Sequence, residues 1–181
     1  MAVLKRRGLL LAAVVVSTLC VPIVQAGPFT EPQAKASLLF NLASFVEWPP
    51  GVLAPTDRLT ICVAGDQDVL AALRPYEAQQ IDGHGVTSRA VVDDEDVSGC
   101  HILFVSASKD RLGLVQRIAG RPIITVGDGP DFARQGGALR VFFEQSRLRF
   151  EINTTTVARA KLRVSSKMLG LARLIKNGNE D

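Results

Sequence analysis

Leu59-Thr60-Ile61-Cys62-Val63-Ala64-Gly65-Asp66 is an apolar run closed by a turn residue and a helix cap. The run reads as a strand, and Gly65 turns the chain out of it. Asp66 can accept hydrogen bonds from the first amides of a short helix that reaches Leu73 and ends at Pro75. A strand that hands directly to a helix is the repeating unit of an α/β fold.

The alternation continues on both sides of this unit. Upstream, Ala34, Leu38, Leu42, Phe45 and Val46 make a helical stripe within 33–48, stopped by Pro49-Pro50-Gly51. Downstream, the turn Asp82-Gly83-His84-Gly85 precedes a strand over 86–92, and Asp93 to Asp96 read as a solvated loop. A strand at 101–105, a helix at 108–119 and a strand at 122–126 follow, and Gly127-Asp128-Gly129-Pro130 turns out of the last. Residues 138–144 and 147–152 alternate well enough to form an antiparallel hairpin across Gln145-Ser146. Asn153 caps a helix through about Ala160, and Ser165 caps another whose Met168, Leu169, Ala172 and Ile175 can pack on the sheet. The pattern predicts a single α/β domain, a mixed β-sheet of about six strands flanked by helices. Its first part resembles a response-regulator or flavodoxin-like arrangement, with the strand order left open.

Composition limits function. The chain has 181 residues, 47% hydrophobic and 22% charged, enough apolar material for a real core. A pI near 9.0 suggests a nucleic-acid or membrane-surface binder. However, Lys5, Arg6 and Arg7 precede an apolar run over 8–21, and Val24-Gln25-Ala26 offers a small-residue exit. That is the pattern of a secretory signal peptide over 1–26, leaving a mature domain at 27–181. Without those three, 21 basic residues become 18, matched by 18 acidic ones, and the charge argument for nucleic acid disappears. An uncleaved anchor over 8–24 and a lipidated Cys20 are the rival readings; Pro22 argues against the first and the bulky Leu19 against the second. Export is expected, with no membrane insertion of the mature chain.

Cleavage leaves Cys62 and Cys100 in an oxidising compartment, as one disulfide or as two buried free thiols. No Cys-x-x-Cys spacing marks a catalytic dithiol. His84 and His101 lack partners at metal-ligand spacing, and the two Gly-x-Gly turns do not continue into a phosphate-binding loop. Ser106 and Ser108 follow a strand end, but no base is assignable to them and no Gly-x-Ser-x-Gly elbow is present. Neither an enzyme, nor a cofactor, nor a metal site is expected.

Short motifs now point to a family. Lys35-Ala36-Ser37-Leu38-Leu39-Phe40-Asn41 leads into Phe45-Val46-Glu47-Trp48-Pro49. In order follow Ile61-Cys62-Val63-Ala64-Gly65-Asp66, Gly99-Cys100-His101-Ile102-Leu103-Phe104-Val105-Ser106 and Ile124-Thr125-Val126-Gly127-Asp128. Phe132-Ala133-Arg134-Gln135-Gly136-Gly137, Arg149-Phe150-Glu151-Ile152-Asn153 and Ser165-Ser166-Lys167-Met168-Leu169 complete the set. Over residues 33–175 the chain resembles the YfiR/HmsC-like periplasmic proteins. The resemblance implies a small, often dimeric, non-catalytic α/β protein. Its partner would be the periplasmic domain of a membrane-bound GGDEF protein, a diguanylate cyclase held inactive, so that cyclic di-GMP and biofilm matrix fall. It also implies a disulfide between Cys62 and Cys100, without the second bridge that some relatives carry in the late hairpin.

One candidate site comes with the resemblance, and a second is read from the residues themselves. Phe150, Glu151 and Asn153, with Val157 and Leu139, match a region where relatives are sensitive to change and form a candidate partner surface. Phe150 and Ile152 alternating with Glu151 also fit plain core against solvent, and Asn153 fits a helix cap. Asn41, Glu47 and Trp48 form a candidate small-ligand pocket, the basis of an alternative reading as a periplasmic small-molecule sensor acting on another membrane partner.

Overall fold

Thr30 and Gln33 exchange hydrogen bonds in a capping box that opens helix α1 (Glu31–Leu42), with Pro32 in its first turn. The computed structural model describes residues 29–92, 97–107 and 112–176. The expected signal peptide over 1–26 with Cys20, the acidic loop at 93–96 and the first residues of the helix expected at 108–119 lie outside them. Helix α1 is shorter than its stripe predicts. After Leu42 the chain tightens into a 3-10 turn, Ala43–Phe45, and straightens into β1 (Val46–Glu47). The cause is tertiary: β-branched Val46 pairs with Val164 of a late strand, and this pairing prevails over the helical spacing.

The central unit matches its sequence. Strand β2 (Leu59–Ala64) turns at Gly65 (φ +93°) into α2 (Gln67–Leu73), and the Asp66 carboxylate accepts from the Asp68 and Val69 amides. Helix α2 ends at Leu73 as expected, and Pro75 sits in the first turn of the 3-10 helix that follows over Arg74–Ala78. Then β3 (Gln80–Ile81) and β4 (His84–Ala90) form a hairpin across Asp82-Gly83, both left-handed, as a primed two-residue turn requires. Strand β5 (Ile102–Val105), α3 (Leu112–Arg117) and β6 (Ile124–Gly127) lead to β7 (Leu139–Glu144) and β8 (Arg147–Asn153), the expected hairpin. Asn153 caps α4 (Thr154–Arg159), and β9 (Arg163–Val164) returns to pair antiparallel with β1. The last expected helix stops early: α5 (Ser166–Leu169) ends at Gly170, and Ile175 lies instead on β10 (Arg173–Ile175).

Eight strands form one sheet in the order β10-β8-β7-β6-β5-β2-β4-β3, and β1 with β9 forms a separate two-stranded ribbon. The six expected strands are all present; β3 and β10, too short to show a period of their own, extend the sheet at its two edges. From β4 to β7 all neighbours run parallel, while β8 is antiparallel to β7. Numbering those five parallel strands by sequence gives the flavodoxin-like order. Side chains alternate across the sheet and build two cores. Leu39, Leu42, Ile61, Phe104 and Ile124 pack on the α1 and α2 face, and Cys62, Leu103, Val105, Leu114 and Phe132 on the other.

Candidate functional site

Antiparallel register places Arg140 opposite Glu151, and β10 places Arg173 on its other side. Glu151 is therefore a buried carboxylate, 4% exposed, that accepts from Arg140 Nη1 at 3.4 Å and Arg173 Nη1 at 3.1 Å. Arg140 Nε also donates to the Gly129 carbonyl at 3.1 Å. Asn153, fully buried, joins three further pieces. Its Nδ2 donates to Ala133 O at 2.7 Å, its Oδ1 accepts from the Thr156 amide at 3.0 Å, and its own amide donates to Ala138 O. These two polar residues bind β7, β8, β10, α4 and the loop before β7 into one unit.

That geometry corrects the expected partner surface. Leu139 and Val157 belong to the core at 1% and 7% exposure, Asn153 has none, and Phe150 is half-buried on the core-facing side of β8. Glu151 points away from that core but lies beneath two guanidiniums. These residues hold the unit together from within and present little surface of their own. The alternation Phe150-Glu151-Ile152 is core against the opposite face, closed by ion pairs rather than by water.

The expected ligand pocket also divides. Asn41 donates to the Ser37 carbonyl at 2.7 Å and lines a groove of about 580 Å³ with Phe29, Leu38, Phe143 and Leu148. Glu47 faces solvent and pairs with Arg163 at 3.4 Å. Trp48 lines a separate cavity of about 180 Å³ with Leu53, Ile81, Asp82 and His84. Its indole N–H is buried without a hydrogen-bond partner, and its ring meets His101 edge to face, centroids 6.0 Å apart. Chain neighbours at the end of a helix that converts to a strand point in different directions, so the three do not converge.

Cys62 and Cys100 are joined in a disulfide with Cα atoms 5.8 Å apart, which settles the choice between bridge and free thiols. Arg89 Nη2 lies 3.3 Å from the Cys100 sulfur and donates to Ser98 O. The neighbouring His101 is buried: Nδ1 accepts from the Thr60 amide at 3.0 Å, which leaves Nε2 to carry the proton toward Val52 O at 3.2 Å. Burial lowers its pKa below the ordinary histidine value, against weaker opposing pulls from Val52 O and Asp57.

Sequence reasoning missed Asp128. It follows β6, accepts from Lys35 Nζ and from the Ala107 amide, each at 2.6 Å, and pins α1 across the ends of β5 and β6. Lys35 is 7% exposed; burial alone would lower its pKa, but Asp128 and Glu31 outweigh that and raise it. The available signal was a lysine at an otherwise apolar helix position facing a Gly-Asp-Gly turn.

Among the described residues no group of three or more His, Cys, Asp or Glu side chains stands where it could hold a metal ion. No described helix is long and apolar enough to cross a membrane. Compared with models of protein families, the chain matches the one described as YfiR/HmsC-like over residues 32–173.

Proposed function

The chain belongs to the YfiR/HmsC-like family, periplasmic regulators of cyclic di-GMP signalling in general, and on that premise we propose that it represses a membrane-bound diguanylate cyclase. It binds the periplasmic domain of a GGDEF protein as a homodimer, without catalysis of its own, after loss of its signal peptide. Cyclic di-GMP and biofilm formation then fall.

A repressor works by binding one conformation of its partner better than another. Moving a cyclase from mostly active to mostly inactive takes a differential of about 5 kcal/mol, within reach of a few buried anchors. What supports this reading best is that the candidate partner residues fall in one structural unit. Leu139, Phe150, Glu151, Asn153 and Val157 all lie in the β7–β8–α4 unit, which Glu151 and Asn153 hold in shape. Changes there act on the partner by moving the hairpin, β10 and the loop before β7.

The test is intracellular cyclic di-GMP in the host with and without the gene. A rise on deletion, reversed by the exported protein, is the expected result; an unchanged level would remove cyclase repression. The second reading, a small-molecule sensor, draws on the unpartnered Trp48 N–H beside the cavity that reaches His84. Quenching of the single tryptophan in a metabolite screen would favour it.

A further inference from the structure

Charge is unevenly distributed along this chain. From Arg134 to Lys176 there are ten basic side chains and two carboxylates, Glu144 and Glu151. Four of the ten share one face of β7, β8 and β10. The register sets Arg140 opposite Glu151, Phe142 opposite Arg149, Glu144 opposite Arg147, and Arg173 opposite Glu151. The other face of the same strands sends Leu139, Val141, Phe150 and Ile152 into the core.

This face is built in advance. Glu151 anchors Arg140 and Arg173 from below, and the Phe142 ring lies 4.5 Å from the first guanidinium and 5.9 Å from the second. The remaining positive charge points outward. Arg173 and Arg149 have side chains 61% and 50% exposed, and Arg149 reaches Glu144 only at 3.7 Å, beyond hydrogen-bond range. Alongside, β10 is an edge strand: no described strand pairs with its outer side.

We propose that the arginine face of β7, β8 and β10, with the open edge of β10, docks an extended acidic segment of a partner protein that carries Asp or Glu at alternate positions. In a strand, alternate residues project to one side, so such a segment added to β10 would present its carboxylates in a row to Arg173 and Arg149. All four cations are arginines, whose planar forks match carboxylates, and arginine with an aromatic ring is the composition of binding hot spots. A lipid phosphate could take the guanidiniums, but it only accepts hydrogen bonds. The strand edge offers donors and acceptors in alternation, which another strand satisfies. The inference deepens the repressor reading by giving the chemistry of the contact, and does not depend on what the partner synthesises.

Calorimetric titration of the purified protein with a strand-length peptide of alternating glutamate and valine tests it. The comparison peptide has the same composition with its glutamates in one block. The alternating peptide is expected to bind preferentially and to weaken with added salt. Arg147→Gln with Arg149→Gln should weaken it at least about tenfold with little change in melting temperature, since neither residue holds Glu151 and the Arg149–Glu144 pair is half exposed. No binding, equal binding of the block peptide, or no effect of the double substitution would overturn the proposal. So would binding confined to phosphatidylglycerol vesicles. The cyclic di-GMP level of the deletion strain is read separately, so either idea can fail alone.

Discussion

In β2, β5 and β6 every residue over 61–64, 102–105 and 124–127 is buried, whereas in β7 and β8 burial alternates and fades toward Gln145-Ser146. The centre is a parallel sheet covered on both faces and crossed by a disulfide. The far end has one apolar face, and its other face is organised around Glu151 between Arg140 and Arg173. The difference teaches where each kind of force does its work: apolar burial holds the centre, and ion pairs, which salt screens, shape the far end.

The comparison can be broken most directly at the disulfide. Replacing Cys62 and Cys100 together by serine opens a loop with a sequence separation of 38, and loop-closure entropy puts the loss at roughly 4 kcal/mol in urea unfolding. A loss below about 1 kcal/mol would show that burial alone carries the centre. The seam between the regions comes next. Phe132 packs so closely on Gly127 and Gly137 that a methyl group at either would overlap its ring. Gly137→Ala should cost about 1–3 kcal/mol by overpacking, with partial recovery when Phe132 is shortened to leucine.

At the far end, Glu151→Gln keeps the shape and removes the charge. Because Arg173 is mostly exposed and Arg140 partly so, water screens the pairs, and the expected loss is about 1–2 kcal/mol. Unlike the first two losses, it should shrink as salt is added; a salt-independent loss would erase the distinction between the ends. His101 gives the centre a titrating weakness. Its folded pKa lies below the ordinary value near 6.5, so the unfolded chain takes up the proton first. Stability should therefore fall as pH drops from about 6.5 to the folded pKa, then level off. Melting curves at about pH 7 and pH 5 should differ more for the wild type than for His101→Asn, which retains an acceptor for the Thr60 amide. The smallest effect belongs to the ribbon. Glu47→Ala removes an ion pair whose side chains are 71% and 83% exposed, and should change stability by less than about 0.5 kcal/mol.

Local signals were legible in the sequence. The β2–Gly65–Asp66–α2 unit and the Asn153 cap come from residues within four positions of one another, as does the β7–β8 turn. The features that escaped depend on distant partners. Val46 leaves the helical stripe because Val164 is there to pair with it. Ile175 leaves its stripe for a strand because Asn153 on β8 is opposite. Glu151 looks like a solvent-facing residue until Arg140 and Arg173 arrive from both sides, and Asp128 looks like turn chemistry until Lys35 reaches it. Alternation says which side of a strand a residue occupies, not what covers that side.

The pairing of Lys35 with Asp128 has a temporal meaning. The two are 93 residues apart, and the helix bearing Lys35 leads the folded domain. Every ribosomal chain appears N-terminus first, so α1 exists before the strand that will receive its ammonium. Until β6 is in place, a Lys35 buried against Phe104 would have only Glu31 of its own helix as counter-ion, half of its final pairing. The helix is fully held only once a carboxylate 93 residues further along the chain is in place.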